Sequence, residues 1–257
     1  MLLAIDAGNT NIKLGLYEGS ELYVPVWRLV PEHLRAAEAY DVTKVRGLFV
    51  GSGIGAQEVE AIIIASVVPR SSHALRSISE RYFHLKPVFV DHMTNTGLKI
   101  LYDQPSELGA DRIVAAVAAV EKYGAPCIVV DFGTATTFNA INSNREYLGG
   151  IIAPGIMTAA EALFSHAAKL PRVDFVRPLN VIGRSTVTAM QSGLFYGSAS
   201  LVDGLIERML LELEDSPKVI ATGGMGELMG HASDRIDVVD ENLTLDGLRI
   251  IYEMNKA

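Results

Sequence analysis

Asp6 and Lys13 stand on either side of a short turn-forming stretch, Ala7-Gly8-Asn9-Thr10-Asn11, near the start of the chain. Four apolar residues, Leu2 to Ile5, run into the acid, and Ile12 to Tyr17 alternates as a strand does. A glycine turn between strands lets backbone N–H groups approach phosphate oxygens. Asn9 and Thr10 add side-chain donors, and Lys13 adds a cation able to reach a phosphate. A carboxylate such as Asp6, at a strand end beside phosphates, ordinarily serves a metal ion, directly or through water. The stretch matches neither the P-loop nor the dinucleotide fingerprint, both of which lead into a helix. Taken singly, it is also compatible with a plain β-hairpin turn whose Asp and Asn serve turn chemistry.

The pattern recurs. Cys127 to Val130 is a second apolar run ending in Asp131, followed by Phe132-Gly133-Thr134-Ala135-Thr136-Thr137-Phe138. The two aspartates lie about half a chain apart. One Asp-x-Gly turn is a common feature, but two at this spacing, each closing an apolar strand, point to two related α/β domains. Such a pair of loops can grip the phosphates of a nucleotide from both sides of a cleft. Gly109-Ala110-Asp111-Arg112 stands ahead of an alanine-rich stretch, with Asp111 near the start of a helix, where a carboxylate suits the helix dipole.

The elements needed to position these residues are legible. The opening predicts a strand–turn–strand hairpin, with Tyr23 to Leu29 as a further strand and Glu32 to Ala39 as a helix. Ala61 to Ala65 is a continuous, mostly β-branched run suited to a strand buried on both faces. Helices are expected over Ser71 to Phe83, Ile113 to Lys122, Ser185 to Leu213 and from near Leu243, and short strands over Pro87 to Asp91 and Lys218 to Ala221. Tyr102 falls on a strand-like stretch. Thr222-Gly223-Gly224 reads as a turn ahead of a helix, at a place that could border an adenosine.

Bulk properties bound the function. A chain of 257 residues suits two domains of ordinary size. With 49% hydrophobic and 20% charged residues the composition is globular. A net charge of −8 argues against a general nucleic-acid or anionic-membrane binder, so an anionic ligand needs local cations. The single cysteine, Cys127, cannot form an internal disulfide and is expected to pack as a small buried residue. The opening lacks a basic n-region and meets an acid at position 6, so no signal peptide is expected. The longest apolar run, Ala61 to Pro69, is too short to span a bilayer, and a soluble cytoplasmic protein is the expectation.

Together, these segments closely resemble the type III pantothenate kinases, within the superfamily of actin, acetate kinase and sugar kinases. The match is carried by Asp6-Ala7-Gly8-Asn9-Thr10, by Tyr102 ahead of Gly109-Ala110-Asp111-Arg112, by Asp131-Phe132-Gly133-Thr134-Ala135-Thr136, by Gly149-Gly150-Ile151-Ile152-Ala153-Pro154-Gly155, and by Thr186 ahead of Ala189-Met190-Gln191-Ser192-Gly193. The resemblance implies an α/β fold of two duplicated ribonuclease H-like (actin-like) domains, each a mixed sheet flanked by helices, with ATP in the cleft between them. The division is set at residues 1–115, carrying the first phosphate loop, and 116–257, carrying the second loop and the dimer helices.

The resemblance also implies roles. Asp6, Ala7, Gly8, Asn9, Thr10, Asn11, Ile12 and Lys13 would form the ATP phosphate loop, with Asp6 near Mg²⁺ directly or through water. Thr134 would also contact ATP. Asp131 would hold a monovalent cation, K⁺ or NH₄⁺. Tyr102, Gly109, Ala110, Asp111, Arg112 and Thr186 would bind pantothenate, with Asp111 as catalytic base. The implied reaction is ATP-dependent phosphorylation of pantothenate to 4'-phosphopantothenate, the first step of coenzyme A biosynthesis, in a cytoplasmic homodimer that binds neither nucleic acid nor membrane. Two alternatives stand beside it. One is a kinase of the same superfamily acting on a sugar or carboxylate, though an Arg beside the base suits an acidic substrate better than a neutral sugar. The other is a nucleotide-binding regulator without catalysis, against which the intact Asp111 and both loops argue.

Overall fold

The computed structural model describes residues 1–23, 26–30, 39–167, 169–213 and 216–256. By internal packing the chain forms two compact units, Met1–Lys122 with Asn242–Ala257, and Tyr123–Glu241. This differs from the expected division at 115/116. A single helix runs through that position, and the last helix of the chain packs in the first unit rather than the second.

In the first unit, β1 (Leu2–Ala7) and β2 (Ile12–Glu18) form the expected antiparallel hairpin, and β1 runs parallel to β5 (Ala61–Ser66). The sheet order is β3-β2-β1-β5-β6, where β3 is Glu21–Leu22 and β6 is Val88–Phe89; β4 (Trp27–Leu29) also pairs with β2. A further short strand, β7, covers Lys99–Ile100. The β-branched run of β5 is buried as its pattern requires, since both faces of the sheet are covered. One face carries Leu3, Ile5, Ala7, Ile12, Leu14, Leu16, Ile62 and Ile64. These pack with Val45 and Phe49 of α1 (Ala39–Ser52) and with Leu75 and Ile78 of α2 (Pro69–Tyr82). Of the helix expected over Glu32 to Ala39, positions 32–38 lie outside the described residues.

The other face carries Ala4, Asp6, Lys13, Gly15 and Tyr17, and α7 (Leu243–Asn255) lies against it. Three contacts fix α7 there. Leu245 reaches the backbone of Gly15, where an added Cβ would sit 3.1 Å from its Cδ1. The Tyr17 hydroxyl donates to Asp246 Oδ1 at 2.8 Å. Lys122, at the end of α3 (Ala110–Tyr123), pairs with Asp246. Helices α3 and α7 meet at a bare backbone: a Cβ on Gly247 would stand 1.9 Å from the Val114 carbonyl oxygen.

The second unit repeats the first. Antiparallel β8 (Cys127–Phe132) and β9 (Ala135–Ile141) form the hairpin, and β8 runs parallel to β11 (Lys218–Gly223). The order β10-β9-β8-β11-β12, with β10 at Glu146–Pro154 and β12 at Val238–Val239, matches β3-β2-β1-β5-β6 place for place. Its core joins Ile128, Val130, Phe138 and Val219 to Ile156 of α4 (Ile156–His166), to Val202 and Ile206 of α5 (Thr186–Glu212), and to Met229 of α6 (Gly226–Gly230). The sequence reading gave no helix at α4, because the apolar residues that open it continue the strand-like run of β10. Cys127 is fully buried, and that burial pushes its thiol pKa up to about 12, as expected of an inert core residue.

Candidate active site

The first loop is a tight hairpin. Gly8 N–H donates to the Asn11 carbonyl at 3.0 Å, and an added Cβ on Gly8 would press on that oxygen at 3.3 Å. Asn9, Thr10 and Asn11 are exposed at its tip. Asp6 and Lys13 are register partners across β1 and β2, so their side chains emerge on the same face. Arg28 of β4 is the register partner of Lys13 on the far side and extends this row by a second cation. The sequence reading missed Arg28. Its signal was the alternation of Trp27-Arg28-Leu29 beside a strand whose cation was already singled out.

Two helices begin next to this row. Burial holds the Asp6 carboxyl above its ordinary pKa, while Lys13 and the Thr244 hydroxyl pull it back and the Asp111 charge raises it further. Asp6, Lys13, Asp111 and Thr244 therefore share one electrostatic neighbourhood, at the starts of α3 and α7. Thr244 is 2% exposed, with its hydroxyl directed to the Asp6 carboxylate. It too was missed, since nothing in Asn242-Leu243-Thr244-Leu245 differs from an ordinary helix start.

At the start of α3, Asp111 is folded back on its own backbone. Arg112 N–H donates to Asp111 Oδ1 at 2.8 Å. Gly109 leaves the space this needs, because a Cβ there would lie 2.5 Å from the same oxygen. Burial is the largest influence on Asp111 and raises its pKa; the Arg112 N–H and guanidinium oppose it. Arg112 is 8% exposed and stacks over the Tyr102 ring at 5.8 Å, close enough for a cation–π contact. Tyr102 lies in the loop after β7 rather than on a strand. The first unit thus brings together Asp6, Lys13, Gly109, Ala110, Asp111, Arg112 and Tyr102.

In the second unit, Asp131 lies one residue before the end of β8, with Thr137 and Thr222 as its register partners on β9 and β11. The Thr222 hydroxyl is fully buried, with no hydrogen-bond partner among the described residues. Gly223, at φ +94°, keeps open the space beside the acid: a Cβ there would be 2.3 Å from Asp131 Oδ1. A carboxylate, a buried hydroxyl without a partner and a gap held open by glycine suit a hard cation. The neighbouring loop is pinned to the start of α4, with the Thr134 carbonyl accepting from Gly155 N–H at 3.1 Å and from the Thr158 hydroxyl at 2.7 Å. Gly155 must be glycine there, because a Cβ would lie 2.4 Å from two carbonyl oxygens. Thr186 sits exposed in the first turn of α5, whose N-cap Ser185 exchanges hydrogen bonds with Thr188.

Comparison with known proteins agrees with this arrangement. The family model of type III pantothenate kinases matches residues 2–208. The chain is 52% identical over 256 residues to the type III pantothenate kinase of Anaeromyxobacter sp. (strain Fw109-5), covering 100% of both chains. It is 50% identical over 255 residues to that of Halalkalibacterium halodurans, covering 99% of this chain and 100% of the other. Among solved structures, the activator of 2-hydroxyisocaproyl-CoA dehydratase from Clostridium difficile superposes with a TM-score of 0.59 at 11% identity, over 99% of this chain and 97% of that one. The inorganic polyphosphate/ATP-glucomannokinase from Arthrobacter sp. strain KM gives 0.53 at 14% identity, over 99% of each chain. At such identities these two likenesses bear on the fold alone.

Proposed function

The chain belongs to the type III pantothenate kinase family, and from that premise we propose how its residues divide the work. The reaction moves the γ-phosphoryl group of ATP to the hydroxyl of pantothenate, giving 4'-phosphopantothenate at the first step of coenzyme A synthesis. The observation that carries the proposed division is the pairing of Asp6 with Lys13 across the first hairpin, with the Asp111 charge acting on the Asp6 carboxyl.

Asp6 to Lys13 bind the phosphates: the loop backbone and Asn9 and Thr10 donate, and Lys13 neutralises charge. Asp6, a carboxylate at the strand end, holds Mg²⁺ directly or through water. That ion supplies charge neutralisation on the phosphates. Thr134, on the pinned loop of the second unit, also contacts ATP. The Asp131 carboxylate, with Thr222 beside it, holds K⁺ or NH₄⁺. A cation there adds positive charge to a protein of net charge −8 that must bind two anionic substrates.

Pantothenate is bound by Tyr102, Gly109 to Arg112 and Thr186, with the Arg112 guanidinium on the substrate carboxylate. The substrate hydroxyl is aimed at the γ-phosphorus by Asp111. As the acceptor oxygen forms its bond to phosphorus and the bond to the β-phosphate oxygen breaks, the hydroxyl proton passes to the Asp111 carboxylate and ADP departs. The raised pKa of Asp111 makes it a better proton acceptor than an exposed aspartate. We also propose a cytoplasmic homodimer. Leu179, at 99% exposure, with Val181 and Ile182 forms an exposed apolar segment ahead of α5, of the kind that a partner subunit covers.

The deciding experiment measures ADP release from Mg-ATP with and without pantothenate, in potassium and then in sodium buffer. Release that requires pantothenate and potassium is expected. Release with a sugar or another carboxylate but not pantothenate would discard the substrate roles of Tyr102, Arg112 and Thr186. ATP binding without release for any acceptor would discard the catalytic reading.

A further inference from the structure

We propose that Val67, at the corner between β5 and α2, is a specificity-determining residue of the acceptor site, whose side chain forms the apolar wall against the carbon bearing the two methyl groups of pantothenate, next to the hydroxyl that is phosphorylated. The inference rests on the reading of Asp111 as the base toward that hydroxyl and of Lys13 as a phosphate cation. It goes further by naming the feature of the acceptor that the protein selects, a primary alcohol on a quaternary carbon. Val67 lies in none of the motifs that carry the family resemblance.

Two contacts place this residue. Val67 N–H donates to the Ala7 carbonyl at 3.3 Å, which ties the corner to the phosphate loop. Its side chain lies against Gly109, where an added Cβ would be 3.4 Å from Val67 Cγ1 and 2.5 Å from Asp111 Oδ1. Val67 and the Asp111 carboxylate thus flank the same glycine. A hydroxyl that meets this carboxylate has a valine methyl beside the carbons that carry it. The core of the sheet is built by Ile62 and Ile64 of the same strand, whereas Val67 is half-buried. Part of its apolar surface stays open, and an apolar group of the substrate would cover it.

The sheet also sets on which side of Asp6 this wall stands. In the order β2-β1-β5, Lys13, Asp6 and Ala65 are register partners in one row on one face. Val67 follows Ala65 by two residues, one past the end of β5, so strand alternation returns it to that face. Lys13 therefore stands toward β2 and Val67 toward β5, with Asp6 between them and with Gly109 and Asp111 on the Val67 side. Phosphoryl transfer needs the donor phosphate and the acceptor oxygen to meet in line. A phosphate held from the Lys13 side and an alcohol held from the Val67 side meet in that way. The acceptor hydroxyl of pantothenate sits on a methylene whose one carbon neighbour bears two methyl groups and no hydrogen. A sugar presents hydroxyl-bearing carbons at the same remove. An apolar branched side chain here covers the first and leaves the hydroxyls of the second without partners.

The test is steady-state ADP release from Mg-ATP by the full chain, with pantothenate and with its analogue lacking both of these methyl groups, for the wild type, Val67→Ala and Val67→Thr, alongside calorimetric binding of Mg-ADP. The wild type should prefer pantothenate about 10- to 100-fold in kcat/KM, the range expected for two methyl groups in an apolar pocket. Val67→Ala should lower kcat/KM for pantothenate about 10-fold, mostly through KM, and bring the two acceptors within about threefold of each other. Its affinity for ADP should stay within about twofold of the wild type, a range well inside the loss of one contact. Val67→Thr keeps the shape and puts a hydroxyl in place of one methyl. It should shrink the preference likewise, and it is read by the same criteria if Val67→Ala does not fold. A wild type without the preference, or a preference that survives intact in Val67→Ala, would overturn the proposal. So would equal loss of ADP and pantothenate binding, which marks a valine that only holds the Ala7 loop in place. The two levels separate in the wild type. Turnover of a sugar but of neither alcohol would discard the pantothenate reading and this inference with it. Turnover of pantothenate, with the preference unaltered in Val67→Ala, would discard this inference alone.

Discussion

Burial raises the Asp111 pKa, while the Arg112 N–H bonded to its carboxylate at 2.8 Å pulls the other way. Removing that carboxylate by Asp111→Asn should lower kcat by roughly 10²–10⁴-fold and leave ATP affinity unchanged. Near-normal turnover would take the base role away from it. The same substitution has a thermodynamic sign. A carboxyl whose pKa is higher in the folded state than its unfolded 3.8 destabilises the fold when ionised. That penalty is absent well below pH 3.8 and develops as pH rises through the raised folded value. Asp111→Asn should therefore melt higher than the wild type near pH 7, by about 2–4 °C for each kcal/mol relieved, with the gap closing in acid. Arg112→Ala should raise the KM for pantothenate by about 10- to 100-fold and leave the KM for ATP alone, as expected from loss of a charge-assisted contact. Arg112→Lys should rescue little, because an ammonium cannot bind a carboxylate bidentately. An unchanged pantothenate KM would move the carboxylate subsite elsewhere. These two neighbours were readable because their types announce chemistry. Thr244 was not, because a lone threonine in a helix start carries no signal until its burial is known.

The crossing of α3 and α7 makes a distinct prediction. A glycine inside a helix ordinarily gains about 0.5–1 kcal/mol on replacement by alanine. At Gly247 the sign should reverse, since the new Cβ would lie 1.9 Å from the Val114 carbonyl oxygen and backbone cannot swing aside as a side chain can. Gly247→Ala should cost roughly 1–3 kcal/mol, read as a lower melting temperature. A rise in melting temperature would mean that the two helices separate freely. Both hairpins and both buried parallel strands were legible because a strand ending in Asp-x-Gly and a β-branched run each have a local cause. Helix α4 was not, because Ile156 continues the apolar run of β10 and the boundary depends on Gly155, whose necessity comes from two carbonyls of the facing loop. The strand-like reading of Tyr102 failed because β7 ends at Ile100, and the Tyr102 ring lies instead beside Arg112, ten positions later.

For the whole chain, the exposed segment carrying Leu179, Val181 and Ile182 should control assembly. A double substitution, Leu179→Asp with Ile182→Asp, should convert a dimer to a monomer in light scattering at unchanged melting behaviour of the separate subunits. A wild type that is already monomeric would remove the dimer from the proposal. The internal duplication was readable from the two loops, because the sheet orders match place for place. The division of the chain was not, because composition says nothing about which sheet the final helix covers. That helix completes the face of the first sheet bearing Asp6 and Lys13, yet residues 123–241 intervene between it and the rest of its unit. During synthesis the second unit therefore emerges entire before the first can close. For the time the ribosome needs to translate those intervening residues, roughly 6–24 s at 5–20 residues per second, the face bearing Asp6, Lys13 and Tyr17 lacks the helix that covers it. The nascent chain should thus finish the face that carries its first loop last, although that loop is the first part of it to be made.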